Sequence, residues 1–205
     1  MRGRDRPRSP DFNQPPGRSM PSVSHPMAGL PTAYRHHAVQ RGLHWTMAAI
    51  IFAALGLGLY CSYLGHGSPQ RQFLMDIHKS LGMTALGLIA IRIPIRASSR
   101  EPDWRSLPPL RERIASKAVH VALYLLMIVM PVSGYVTSSA EGRTVPWFGM
   151  FKWPVLLGDD RPLGRAVGII HHYGAYTFYA LLFLHLAAVI WHRMIKKDEV
   201  LSRML

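Results

Sequence analysis

Three long stretches of the chain contain no Asp, Glu, Lys or Arg: residues 42–70, 118–140 and 166–192. Each is longer than the roughly 20 residues that an α-helix needs to cross a bilayer. A fourth apolar segment, 73–95, carries charges only near its two ends, where long side chains can reach the membrane surface. The pattern predicts four membrane-spanning helices: His44–Leu64, Met75–Ile95, Ala115–Val136 and Val167–Arg193.

The first part of the chain has a different composition. Residues 1–33 are rich in Pro, Arg, Ser and Gly and hold few large apolar side chains. Such a segment cannot bury enough surface to offset the entropy lost on ordering, so we expect a disordered basic tail. Residues 34–205 are predicted to form one domain, an all-α integral membrane four-helix bundle, because a chain inside a bilayer must satisfy its own backbone hydrogen bonds.

The positive charge follows the predicted helices. The chain has 24 Lys and Arg residues and a net charge of +13. Eighteen of the 24 lie before the first helix, between the second and third helices or after the fourth, and six lie in the other two connections. This asymmetry predicts that both termini are cytoplasmic. The charge is therefore read as a topology signal, and no nucleic-acid partner is expected. No cleavable signal peptide is expected either, since the first apolar run begins more than 40 residues into the chain.

Histidines lie inside these apolar segments, where ionisable side chains are costly and usually mark function. Fourteen residues separate His171 from His185, which is close to four helical turns and a rise of about 21 Å. The two therefore share one face of the fourth helix at two depths, whereas His172 points elsewhere. In alternating helices, His44 falls at the level of His185, and His78 at the level of His171.

Paired imidazoles suit a metal that is held by nitrogen alone. A zinc site would normally recruit Cys, Asp or Glu at the same level, and the single cysteine, Cys61, excludes a thiolate cluster and a c-type haem attachment motif. Haem iron needs only two protein ligands, so two b-type haems explain the spacing economically. A proton path, a metal or proton transporter, and packed polar histidines remain alternatives.

The motifs resemble one family. In order, they are LHW at 43–45, IHKSLG at 77–82 with RIPIR at 92–96, HVALYLLMIVMPVSG at 120–134, PWFG at 146–149, and HLAAVIWH at 185–192 followed by KDEVLSRML. Together they resemble the bacterial cytochrome b561 family, four-helix di-haem proteins of the inner membrane, over residues 34–205. The family also carries histidines that match His120 and His192.

The resemblance implies ligand pairs and an activity. His44 and His185 correspond to the ligands of the cytoplasmic-side haem b, and His78 and His171 to those of the outer one. The family includes a superoxide oxidase that passes electrons from superoxide to ubiquinone, and cytochrome b subunits that relay electrons for dehydrogenase or hydrogenase complexes. The resemblance thus implies a lipid bilayer, a quinone and a redox partner protein as partners.

Cations near the predicted helix ends are candidates to bind haem carboxylates, since charge-assisted hydrogen bonds favour such pairs. Each of them could equally anchor its helix at the membrane surface. The candidates are Arg35, Arg41, Lys79, Arg92 and Arg165.

Overall fold

The computed structural model describes residues 36–99 and 108–205. Four long helices account for most of them, and a short two-stranded hairpin lies between the third and fourth. The elements are α1 Ala38–Tyr63, α2 Pro69–Ser98, α3 Leu110–Ala140, β1 Val145–Trp147, β2 Phe151–Trp153 and α4 Arg161–Trp191, which continues as a π-helical turn, His192–Lys196. The predicted basic tail, 1–33, lies outside the described residues.

All four helices have the length and apolarity needed to span a membrane, which confirms the predicted fold class. Each one begins before its predicted start, and α2 and α3 also end after their predicted ends, because the apolar pattern marks only the part suited to hydrocarbon. Polar capping sets the real starts. Ser68 accepts a hydrogen bond from the backbone N–H of Arg71 and is followed by Pro69 at the first helical position. Asp160 likewise accepts from the backbone N–H of Leu163.

The helices pack as α1 against α2 and α3 against α4, and α2 also packs against α3. Leu123, Met130 and Phe178 form a small buried cluster between the helices. Most other large apolar side chains are exposed; Phe183, for example, is 74% exposed. In water such a surface would be a liability, whereas in a bilayer it is the face that contacts lipid.

The aromatic stretch 144–154 forms an antiparallel hairpin that pairs Val145 with Trp153. The hydroxyl of Ser80 on α2, itself buried, accepts from the backbone N–H of Phe148 at 2.9 Å. Its one proton lies between Asp76 O of the same helix (2.7 Å) and Pro146 O of the hairpin (3.1 Å). Trp147 Nε1 donates to Thr84 Oγ1 at 3.1 Å. These bonds hold the hairpin against α2 at one end of the bundle, called the hairpin end below.

The last residues of the chain fold back on the start of α1, at the opposite end of the bundle, called the terminal end below. The indole N–H of Trp45 donates to Met204 O at 2.9 Å, and the backbone N–H of His36 donates to Arg203 O at 3.0 Å. Arg203 is itself buried, at 4% exposure. Nothing in the apolar pattern indicates this docking, because polar and backbone groups make it.

Candidate functional site

Two histidines meet across the bundle near the hairpin end. His78 lies between two and three turns into α2, and His171 lies at the same height in α4. Their ring centroids are 6.2 Å apart and their planes are nearly perpendicular, at 88°. His78 and His171 are called the hairpin-end pair below. The depth argument from the sequence placed these two residues at one level, and the structure brings them together.

The distance between the two ring centroids is the distance expected if both imidazoles bind one metal ion. A metal–imidazole bond of about 2 Å on each side, plus roughly 1 Å from each nitrogen to its ring centre, gives about 6 Å between centroids. Two imidazoles in direct hydrogen-bond contact would lie closer together. The side chains therefore leave room for one metal ion between them.

Backbone carbonyls orient both rings. His78 Nδ1 lies 2.8 Å from Ala54 O on α1, and His171 Nδ1 lies 2.9 Å from Met130 O on α3. A carbonyl oxygen only accepts hydrogen bonds, so each Nδ1 carries the proton and donates it. The other ring nitrogen, Nε2, then keeps a free lone pair, which is the arrangement found for histidines that bind metals.

Glycines make this close approach possible. A Cβ atom built on Gly58 would lie 3.0 Å from His78 Cε1, and one built on Gly134 would lie 3.0 Å from His171 Cε1. Ordinary carbon contacts are about 3.5–4.0 Å. Any larger residue at either position would therefore push the facing imidazole away from its carbonyl.

A cavity of about 420 Å³ surrounds the hairpin-end pair. This volume lies within the roughly 300–1,000 Å³ typical of cofactor sites. All four helices contribute to its walls, for example through Leu55, Met83, Met127 and Ala175. The enclosure is mostly apolar with two convergent imidazoles, and thus fits a flat apolar macrocycle with an iron at its centre.

Three cations also line this cavity: Arg71, Lys79 and Arg143, called the cavity cations below. Lys79 is among the cations predicted from the sequence, whereas the two arginines are not. Arg71 could have been found, because it precedes His78 by seven residues and so lies on nearly the same helical face. Arg143 follows α3 in a loop, where periodicity gives no signal. Their positive charges suit carboxylates or another anion at this end.

The remaining proposed cations have other positions. Arg165, which is among the described residues, is exposed and does not line the cavity. Arg41 is partly buried near the start of α1. Arg35 lies outside the described residues. His172 is exposed and also lines this cavity, but its ring packs at right angles to that of Tyr176, with centroids 5.1 Å apart; the histidine whose ring meets that of His78 is His171.

The terminal end holds a second group of histidines. His120 and His185 lie with ring centroids 5.3 Å apart, and His44 lies at the same end of the bundle, beside Arg92. Arg92 donates to His44 Nδ1 at 3.2 Å and to the hydroxyl of Tyr124 at 2.9 Å. The sequence predicts His44 as the partner of His185 and gives no role to His120; in the structure, the ring that lies beside His185 is that of His120.

The histidines at the terminal end are less well arranged for metal binding than the hairpin-end pair. Because an arginine only donates, His44 Nδ1 acts as an acceptor here, and a neutral ring then carries its proton on Nε2. His192 is engaged separately, with Nδ1 2.5 Å from Asp198 Oδ2. Across residues 36–99 and 108–205, no three His, Cys, Asp or Glu side chains are grouped so that they could hold a metal ion by themselves. Two-histidine sites completed by a macrocycle agree with that finding.

Comparison with known proteins gives consistent results. A family model of prokaryotic cytochrome b561 matches residues 35–205. "Cytochrome b561 homolog 2" of Escherichia coli (strain K12) is 31% identical over 175 residues, which cover 85% of this chain and 93% of that protein. "Cytochrome b561 homolog 1" of the same organism is 25% identical, over 83% of this chain and 97% of the homologue. A Yersinia pestis protein named "Probable superoxide oxidase CybB" is 26% identical, over 83% and 96%.

Proposed function

Because this chain belongs to the prokaryotic cytochrome b561 family of bacterial membrane electron-transfer proteins, we propose that it is a di-haem b-type cytochrome that passes single electrons from superoxide, at the periplasmic side, to ubiquinone. Membership of the family implies haem b. The number of haems, the donor and the quinone are the proposal.

The observation that carries the proposal is the hairpin-end pair. Its 6.2 Å centroid separation, its two Nδ1 donors bonded to carbonyls and the surrounding apolar cavity suit one haem with both axial positions filled by histidine. A haem held in this way supplies one-electron redox chemistry without an open iron position. The protein holds the imidazoles in place and keeps water out.

The second haem is proposed to lie between His44 and His185 at the terminal end. Along α4, His171 and His185 are separated by about 21 Å, so two cofactors at these levels would connect the two membrane surfaces. At this end Arg92 is bonded to His44 Nδ1, and the ring of His185 lies beside that of His120. We propose that Arg92 releases this nitrogen when the site is loaded.

Superoxide is favoured as donor by charge. The cavity cations lie at the end that the positive-inside rule assigns to the periplasm. Such a cluster attracts a small anion and raises its local concentration. In the balanced reaction, two superoxide anions each lose one electron and become O₂, and ubiquinone takes up the two electrons with two protons to become ubiquinol. The Yersinia pestis relative carries a superoxide oxidase name.

The proposal can be tested with purified protein in vesicles that contain ubiquinone. Superoxide is generated enzymatically, and ubiquinol is measured with and without superoxide dismutase. We expect quinol formation that superoxide dismutase suppresses and that His78→Ala abolishes, while the exposed neighbour variant His172→Ala retains it. Quinol formation unaffected by superoxide dismutase would overturn superoxide as donor. A co-purifying dehydrogenase or hydrogenase subunit would then identify the chain as an electron-relaying anchor.

A further inference from the structure

The two imidazoles of the hairpin-end pair rest in matching places on different helices. Each place, called a seat below, consists of a backbone carbonyl and a glycine four residues later: Ala54 and Gly58 on α1, Met130 and Gly134 on α3. The distances from the built glycine Cβ to the ring atoms agree between the seats, at 3.0 Å to Cε1 and 3.3 Å to Nδ1 in both. Each seat fixes the plane of one imidazole and the proton on its Nδ1.

One seat has a hydrogen-bonding side chain that the other lacks. Three residues after its carbonyl, the α3 seat has Ser133, whereas the α1 seat has Leu57. Ser133 is buried, at 5% exposure, and its hydroxyl lies 3.0 Å from His171 Nδ1 and donates to Met130 O at 2.9 Å. Since its single proton goes to that carbonyl, its oxygen accepts from the Nδ1–H of His171. His171 therefore donates to two oxygens, and His78 to one.

We propose that Ser133 is a positioning residue that lowers the reduction potential of the haem held by His78 and His171. This inference rests on the proposed function, since it requires a haem at the hairpin-end pair. It assigns the difference in hydrogen bonding between His78 and His171 to one hydroxyl group.

The physical reason is the basicity of the imidazole. A second acceptor on the Nδ1–H draws that proton further from the ring and makes Nε2 a stronger electron donor. A stronger donor stabilises ferric iron more than ferrous iron, and the haem becomes harder to reduce. The carbonyl bond alone fixes the tautomer, so the hydroxyl tunes the site without being needed to build it.

The test is a redox titration of purified holoprotein followed by visible spectroscopy, with each haem resolved. We expect Ser133→Ala to keep both haems and to raise the reduced-to-oxidised ratio of one of them up to about tenfold at a fixed potential, which for one electron is about 59 mV. Ser133→Thr retains a hydroxyl and should restore the native titration. The other haem serves as an internal control and should not shift.

A reciprocal variant separates this effect from loosened packing. Leu57→Ser places a hydroxyl at the equivalent position of the α1 seat and should lower the potential of the same haem. Leu57→Ala removes the same bulk without adding a hydroxyl and should not lower it. If looser packing were the cause, Leu57→Ser and Leu57→Ala would shift the reduction potential by the same amount.

The outcomes distinguish this inference from the proposed function. Unchanged potentials in Ser133→Ala, with both haems present, would overturn the role of Ser133 and leave the di-haem assignment standing. Equal shifts in Leu57→Ser and Leu57→Ala would also overturn it. A wild-type protein without a haem at His78 and His171 would overturn both.

Discussion

Replacing Gly58 by alanine should weaken haem binding at the hairpin-end pair, although alanine is the better helix former. The new Cβ would lie 3.0 Å from His78 Cε1, whereas carbon contacts are ordinarily about 3.5–4.0 Å, so the ring must recede by about 0.5–1 Å. The bond of 2.8 Å between Nδ1 and Ala54 O would then stretch towards or beyond the usual limit of about 3.2 Å.

The size of the effect can be calculated from the cost of adding a methyl group where His78 already packs closely against the helix. Inserting a methyl group into a well-packed interior costs about 1–3 kcal/mol. If the haem-bound state bears that cost, the haem dissociation constant rises by about 5-fold to 150-fold. The gain in helix propensity, about 0.5–1 kcal/mol, applies also to Gly56→Ala. Gly56 lies on the same helix with nothing within 4 Å of its Cβ position, so it is the matched control.

The assay measures the haem-to-protein ratio of purified variants and then the rate at which haem transfers to an excess of an apo-globin acceptor. Gly58→Ala should lose haem from the hairpin-end pair faster than wild type, and Gly56→Ala should behave as wild type. Equal transfer rates for Gly58→Ala and Gly56→Ala would refute the argument that the bare glycine makes room for His78.

Three further predictions concern charge, ligand geometry and the terminal end. Replacing the cavity cations by Gln should slow the reduction of the haem by superoxide, measured by stopped flow, and should make the rate less dependent on ionic strength. The reason is that salt screens the attraction between these cations and the anion, and the variant lacks that attraction. An unchanged dependence on salt would contradict electrostatic attraction of superoxide by these residues. The nearly perpendicular rings of the hairpin-end pair predict a strongly anisotropic low-spin ferric signal in electron paramagnetic resonance, and a weakly anisotropic signal from both haems would contradict that geometry. Trp45→Phe removes the hydrogen bond to Met204 O and should lower the free energy of unfolding by about 0.5–1.5 kcal/mol without altering the hairpin-end haem spectrum, and an unchanged thermal midpoint would count against the docking.

The number and order of the helices could be predicted because each membrane-spanning helix needs a long run of residues without charged side chains, and such runs are visible in the sequence. Their ends could not, since caps such as Ser68 and Asp160 depend on single polar residues outside the apolar pattern. The hairpin was also missed. Its turn requires positive φ at Phe148 (48°) as well as at Gly149 (75°), and a phenylalanine gives no signal for that conformation.

For the candidate site, helical arithmetic was enough to place His78 and His171 at one level, because spacing and alternating helix direction determine depth. It could not reveal the acceptors of their Nδ1 protons. These are the backbone carbonyls of Ala54 and Met130, which every residue type carries. The place of His120 beside His185 also depended on how α3 packs against α4. Periodicity along one helix does not determine that packing.

The haem-to-protein ratio of the wild type and of single histidine variants tests the central claim most directly. The account predicts two haems per chain in the wild type and in His172→Ala, and one in His78→Ala and in His171→Ala, with the same haem spectrum remaining in both. A colourless wild-type protein despite ample haem supply, or two haems retained in His78→Ala and His171→Ala, would contradict it.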